Sequence, residues 1–176
     1  NSTTYQPGDN ILFQGGQTFN GKLYFSSSSQ GTASAPITIA SYETGRATIH
    51  GGTSDSFYAY NTAGFSIHDI NFAGSGSTIN SGSGINFYTD LPGDVKLDTI
   101  TIKNVSVNGL LTGISIGGGN GATGYSNINI LYATITNCAQ AGIMTYAQTF
   151  GTHKNVYVGH ANVSNITGIS GKTTNS

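Results

Sequence analysis

A repeat of about 28 residues constrains this chain more than any other feature. Four Gly-Ile pairs, Gly84-Ile85, Gly113-Ile114, Gly142-Ile143 and Gly168-Ile169, are spaced 29, 29 and 26 residues apart. Between them run segments that alternate apolar, polar, apolar: Phe65-Ser66-Ile67, Ile100-Thr101-Ile102, Ile128-Asn129-Ile130 and Val156-Tyr157-Val158, spaced 35, 28 and 28. The register continues through Ile70, Val105, Ala133 and Ala161, then Phe72, Val107, Ile135 and Val163, then Gly74, Gly109, Asn137 and Asn165. Period-two alternation means strands with one buried face. Runs of three to five residues broken by Gly, Asn and Ser mean short strands and tight turns. No window supports a long amphipathic helix.

A unit of this size carrying three short strands cannot bury its apolar face alone, so successive units must stack. The expected fold is therefore all-β: a right-handed parallel β-helix in which each strand pairs with its equivalent one coil away, roughly 4.8 Å distant. Ile85, Ile114, Ile143 and Ile169 should form one inward ladder, and Ile67, Ile102, Ile130 and Val158 another. The 35-residue interval is expected to arise from an insertion at Thr89–Asp98, after a strand at Ile85–Tyr88, with Gly117–Gly124 a second loop at the same point of the next coil. A single domain over 1–176 is expected. Its residues 1–52 form a cap and opening coils, with strands at Ile11–Phe13, Leu23–Phe25, Ile37–Ile39 and Ala47–Ile49, and 53–176 form regular coils. The C-terminal end shows no cap. An open strand edge recruits other chains, so homo-oligomerisation through the exposed C-terminal coil is an expected mode of assembly.

Composition narrows the partners. Only 7% of residues are charged and the net charge is −1, so no basic stripe exists to track nucleic acid. No apolar stretch is long enough for a membrane-spanning helix. The start, Asn1-Ser2-Thr3-Thr4, carries no signal-peptide pattern and reads as a mature or excised chain. The single cysteine, Cys138, precludes an intramolecular disulfide and reads as a small buried hydrophobe. Gly119-Asn120-Gly121-Ala122-Thr123-Gly124 spells a dinucleotide fingerprint, but a strand rather than a helix should follow it, so it reads as a turn.

The opening segments Tyr5-Gln6-Pro7-Gly8-Asp9-Asn10-Ile11-Leu12-Phe13, Gly21-Lys22-Leu23, Ala35-Pro36-Ile37-Thr38-Ile39 and Gly45-Arg46-Ala47-Thr48-Ile49, with the later Gly-Ile coils, resemble secreted bacterial pectin-lyase-like β-helix proteins. The resemblance implies an extracellular protein that binds or degrades polysaccharide, as a lyase or glycoside hydrolase if it is an enzyme. Members of that group also include adhesins, so the alternative is a non-catalytic structural or adhesive surface solenoid that assembles end to end.

The residues themselves carry little chemistry. The outward positions of the Gly-Ile strands should be Asn86 and Tyr88, Ser115 and Gly117, Met144 and Tyr146, none of them charged. Tyr88 and Tyr146 share one column and are the candidate carbohydrate-binding residues, since tyrosine rings stack on sugar faces. Asp90, Asp94 and Asp98 share one loop and are the candidate calcium ligands, although Asp is also a common turn residue. Any pair of hydrolytic carboxylates, drawn from Glu43, Asp55 or Asp69, must be assembled by stacking. His153-Lys154 reads as two solvated polar residues at a loop rather than a catalytic base.

Overall fold

The computed structural model describes residues 3–169. Short strands recur in the order the alternation requires. The first coil contains β1 (Asn10–Gln14), β2 (Thr18–Asn20) and β3 (Leu23–Phe25). The second contains β4 (Ile37–Tyr42), β5 (Thr48–His50) and β6 (Phe57–Tyr60). The third contains β7 (Phe65–His68), β8 (Asn71–Ala73) and β9 (Ser83–Thr89). The fourth contains β10 (Lys96–Lys103), β11 (Ser106–Asn108) and β12 (Thr112–Gly118). The fifth contains β13 (Gly124–Leu131), β14 (Thr134–Thr136) and β15 (Ala141–Ala147), and β16 (Lys154–Gly159) and β17 (Asn162–Ser164) follow.

Every equivalent strand pairs in parallel with the next coil. Sheet A runs β1-β4-β7-β10-β13-β16, sheet B runs β2-β5-β8-β11-β14-β17, and sheet C runs β3-β6-β9-β12-β15. The parallel β-helix expected from the repeat is what forms, and the opening residues join the same three sheets as the later coils. Two strands escape the sequence pattern, Thr18–Asn20 and Phe57–Tyr60. The second lay in plain view: Phe57 pairs with Ile85, one 28-residue step away.

The ladders follow the expected registers. Ile85, Ile114 and Ile143 are successive partners, as are Ile67, Ile102, Ile130 and Val158. Ile67, Ile85, Ile102, Ile114 and Ile130 are fully buried, and each contributes roughly 1.5–3 kcal/mol. At the end of the stack burial fails: Val156, Val158 and Val163 are each more than two-fifths exposed. Ile169 belongs to no strand, so that ladder stops at Ile143, and the remainder of the repeat begun at Gly168 lies outside the described residues.

The insertion lies elsewhere than expected. From Phe72 to Ile85 the chain takes thirteen residues, whereas the equivalent step from Val107 to Ile114 takes seven. The extra length is therefore the loop between β8 and β9. Residues Lys96–Asp98, assigned to the insertion from sequence, extend β10 and pair with Gly124–Ser126. The loop between β9 and β10 has a counterpart of nearly equal length between β12 and β13, so it adds almost nothing to the interval.

Corners are set by left-handed residues. Gly109, Asn137 and Asn165 turn the chain between sheets B and C with φ of 74°, 55° and 54°. Asn tolerates this region better than other side chains and can also bond along the stack. Asn165 Nδ2 donates to Asn137 Oδ1 at 3.2 Å, and Asn137 Nδ2 to Asn108 Oδ1 at 2.7 Å.

The Gly of each Gly-Ile pair answers a different need. A Cβ on Gly84, Gly113 or Gly142 would overlap Val107, Ile135 or Val163, the sheet B residues that fill the space inside. Cys138 is fully buried, and burial raises its thiol pKa. Among the described residues, no helix is long and apolar enough to cross a membrane.

Candidate functional site

The outer face of sheet C gathers aromatic side chains because strand alternation puts every second residue outside. Tyr24 pairs with Tyr58 and Tyr58 with Asn86, followed by Ser115 and Met144. One step along, Tyr60 pairs with Tyr88, and Gly117 and Tyr146 complete that column. Phe57, Ala59, Ile85 and Phe87 take the alternate positions and are buried.

The rings form a connected run. Tyr24 and Tyr58 have centroids 5.8 Å apart, Tyr58 and Tyr60 6.2 Å, and Tyr60 and Tyr88 6.2 Å with planes only 9° apart. Tyr88 and Tyr146, two coils apart, lean towards each other over β12. A Cβ at Gly119 would overlap the Tyr88 ring, and one at Gly117 would overlap the Tyr146 ring. Gly117 and Gly119 thus form a floor with room for both tyrosines, a role their turn-like composition did not suggest. Lys22 Nζ lies 5.6 Å from the Tyr58 ring centroid, within cation–π range.

Polar groups frame this face at both ends of the strands. Asp55 accepts from the Ser83 amide at 2.8 Å and from Asn86 Nδ2 at 3.4 Å. Asn86 Oδ1 is buried with no donor. Burial, then the Asp55 charge, pushes the Tyr58 phenol up to about 12. At the opposite end Asp90 accepts from Tyr60 Oη at 2.8 and 2.9 Å and from Asn61 Nδ2 at 2.9 Å. The Asn61 and Tyr60 bonds hold the Asp90 carboxyl below its usual range, and the Asp90 bond raises the Tyr60 phenol. Burial likewise raises Tyr146.

The carboxylates do not pair for hydrolysis on this face. Asp55 sits level with Ser83, seven residues before Asp90 on the neighbouring strand. At about 3.3 Å per residue this separates them by about 23 Å, well beyond the roughly 5–9.5 Å of a glycosidase pair.

Asp90, Asp94 and Asp98 go to three different places. Asp90 is bound as above, Asp94 pairs with Lys96, and Asp98 accepts from Ser126 at 2.8 Å and Asn127 at 2.7 Å. Among the described residues, no three His, Cys, Asp or Glu side chains gather as a metal site. Glu43 accepts from Gln14 at 3.0 Å, and Asp69 bonds His68 at 2.8 Å. His153 is tied to backbone, its Nδ1 accepting from the Tyr125 amide at 3.2 Å and its Nε2 lying 2.9 Å from the Tyr146 carbonyl. Gly124 opens β13, so the glycine-rich fingerprint leads into a strand and has no helix N-terminus for a phosphate.

The sequence placed Tyr88 and Tyr146 on one outward column, where they lie, but did not place Tyr24, Tyr58 and Tyr60 beside them. The signal was present in Phe57-Tyr58-Ala59-Tyr60, a strict alternation one repeat before Ile85.

No protein-family model and no curated protein matches the chain. Among solved structures it is similar to the GH136 lacto-N-biosidase from Eubacterium ramulus. The native form matches with a TM-score of 0.69 at 16% identity over 91% of this chain, and the selenomethionine form with 0.69 at 18% over 96%. The chain spans 36% and 38% of those two structures. At this identity the likeness establishes a shared β-helix fold.

Proposed function

We propose that the chain is an extracellular, pectin-lyase-like β-helix that binds polysaccharide along the outer face of sheet C. The connected run Tyr24–Tyr58–Tyr60–Tyr88, continued over the glycine floor by Tyr146, carries this reading. Tyrosines offer apolar ring faces to the C–H faces of sugars and hydroxyls to their polar edges. A ribbon of rings across successive coils suits an extended chain better than a small molecule, which prefers a concave pocket. The β-helix shared with a lacto-N-biosidase is in keeping with a carbohydrate ligand. The wide separation of Asp55 and Asp90 favours holding the glycan over cleaving it at this face.

Affinity electrophoresis of the whole chain through gels containing neutral or uronate-bearing polysaccharides tests the reading. At least one glycan should retard the protein, and Tyr88→Ala and Tyr58→Ala should each weaken retardation by about tenfold in dissociation constant, equivalent to about 1.4 kcal/mol. Equal mobility of wild type and both variants on every retarding glycan would refute it.

A second reading, end-to-end assembly, rests on the exposed Val156, Val158 and Val163. Pairing of β16 and β17 with a second copy would cover them. Sedimentation should then show a mass that grows with concentration in the wild type but not in Val158→Lys.

A further inference from the structure

The outer face of sheet A carries side chains of different chemistry, away from the tyrosines of sheet C. A shallow depression there is lined by Ser66, His68, Asp69, Thr101, Lys103, Asn104 and Tyr132. Register explains their meeting: His68 pairs with Lys103, and Ser66 with Thr101, between β7 and β10. The partners sit roughly 4.8 Å apart on the same outward face. In a chain with only six Lys and Arg residues, two converge here, because Arg46 reaches across a coil to donate to Asn104 Oδ1.

Two of the lining residues, Asp69 and Asn104, hold the donors in place from the rim. Asp69, at a left-handed corner with φ of 53°, holds His68 Nδ1 at 2.8 Å and accepts from Asn104 Nδ2. The His68 and Asn104 bonds keep the Asp69 carboxyl below its usual range, so it stays an acceptor near neutral pH. Nδ1 therefore carries the proton facing Asp69, and Nε2 is the nitrogen left for a ligand. Among the described residues, no carboxylate pairs with the Lys103 ammonium, and no side-chain hydrogen bond engages Ser66 or Thr101.

We propose that this depression binds a tetrahedral oxyanion, the sulfate or phosphate ester of a larger ligand, between the Lys103 ammonium and His68 Nε2. The Ser66 and Thr101 hydroxyls complete the donor set. An ammonium, an imidazolium and two hydroxyls arrive as separate point donors, which suits tetrahedral oxygens. A planar carboxylate is better met by a guanidinium fork, and the Arg46 fork is turned to Asn104. His68 Nε2 donates only when the ring is protonated, so affinity rises as pH falls. The other groups facing His68 are Asp69, ionised throughout, Lys103 and Arg46, both cationic, and Tyr132, on which His160 stacks at 4.8 Å.

Amide-resolved NMR titration of the whole chain tests the proposal, at constant ionic strength with sodium sulfate, sodium phosphate and sodium acetate as probes. Sulfate and phosphate should shift the amides of residues 66–69 and 101–104, and acetate should not. Lys103→Met should weaken sulfate binding by about tenfold, equivalent to about 1.4 kcal/mol, while Tyr88→Ala leaves it unchanged. Sulfate itself does not take up a proton near neutrality, so its tightening as pH falls should vanish in His68→Asn and persist in His160→Asn. Comparing glucose 6-sulfate with glucose 6-phosphate then separates the two ester sources. Shifts spread over the whole surface, an equal response to acetate, or unchanged affinity in Lys103→Met would overturn the proposal.

Discussion

Gly113→Ala should cripple the fold, although it adds one methyl group to a buried apolar interior. The new Cβ would stand 2.5 Å from Ile135 Cγ2 and closer still to the Gly142 carbonyl oxygen. The Ile135 side chain is fully enclosed, and a close-packed interior gives it little room to move aside. The Gly142 oxygen belongs to the backbone of β15, which pairs with β12, so moving it loosens the ladder. Overpacking of a core typically costs about 1–3 kcal/mol, and obstruction by backbone places this case near 3 kcal/mol. For a chain of this length that lowers the melting temperature by about 6–12 °C. Urea unfolding followed by far-ultraviolet circular dichroism measures it, as a reduced midpoint at unchanged slope. Gly117→Ala, on the same strand but the opposite face, is the control. The three atoms nearest its Cβ all belong to the Tyr146 side chain, whose far end is exposed enough to move, at 41%. Stability should move by less than about 0.5 kcal/mol, while glycan retardation falls because Tyr146 is displaced. Equal stability losses in the two variants, or a Gly113→Ala midpoint matching wild type, would refute this account of the Gly-Ile pairs.

Three further outcomes follow from buried groups. Tyr125 Oη is enclosed without a hydrogen-bond partner, and such a group costs about 1–3 kcal/mol, so Tyr125→Phe should raise stability by about 1 kcal/mol in the same urea assay; a loss would show that the hydroxyl is satisfied. Tyr58 is raised to about 12 from 10.0, and a phenol held neutral in the folded state contributes fully below pH 10 and loses that contribution as pH climbs from about 10 to about 12. Ultraviolet titration should show this late ionisation, and Asp55→Asn should bring it earlier by removing the neighbouring negative charge. Cys138 should resist alkylation by iodoacetamide in the native protein and react promptly in urea, as expected of a thiol that is both enclosed and raised in pKa; fast native reaction would place it at the surface.

The solenoid was legible in the sequence because its cause is local and repeated. Alternation in Ile100-Thr101-Ile102 marks a strand by itself, and recurrence at Ile128 and Val156 states which strands must pair. The outward assignments of Asn86, Tyr88, Ser115, Gly117, Met144 and Tyr146 followed from the same period. The insertion was misplaced because only turn composition pointed to it, and Pro92-Gly93 looks like an added loop until the neighbouring coils are laid beside it. The candidate sites were less legible still. Tyr58 joins Tyr24, and His68 joins Lys103, through contacts between coils whose lateral neighbours depend on register and on how side chains lean. Gly117 and Gly119 illustrate the division: their sequence signals freedom of backbone, and only the stacked structure turns that freedom into space for Tyr88 and Tyr146. Local periodicity determines the strand, but the surface is made of residues about 28 positions apart, and their chemistry exists only once the coils are stacked.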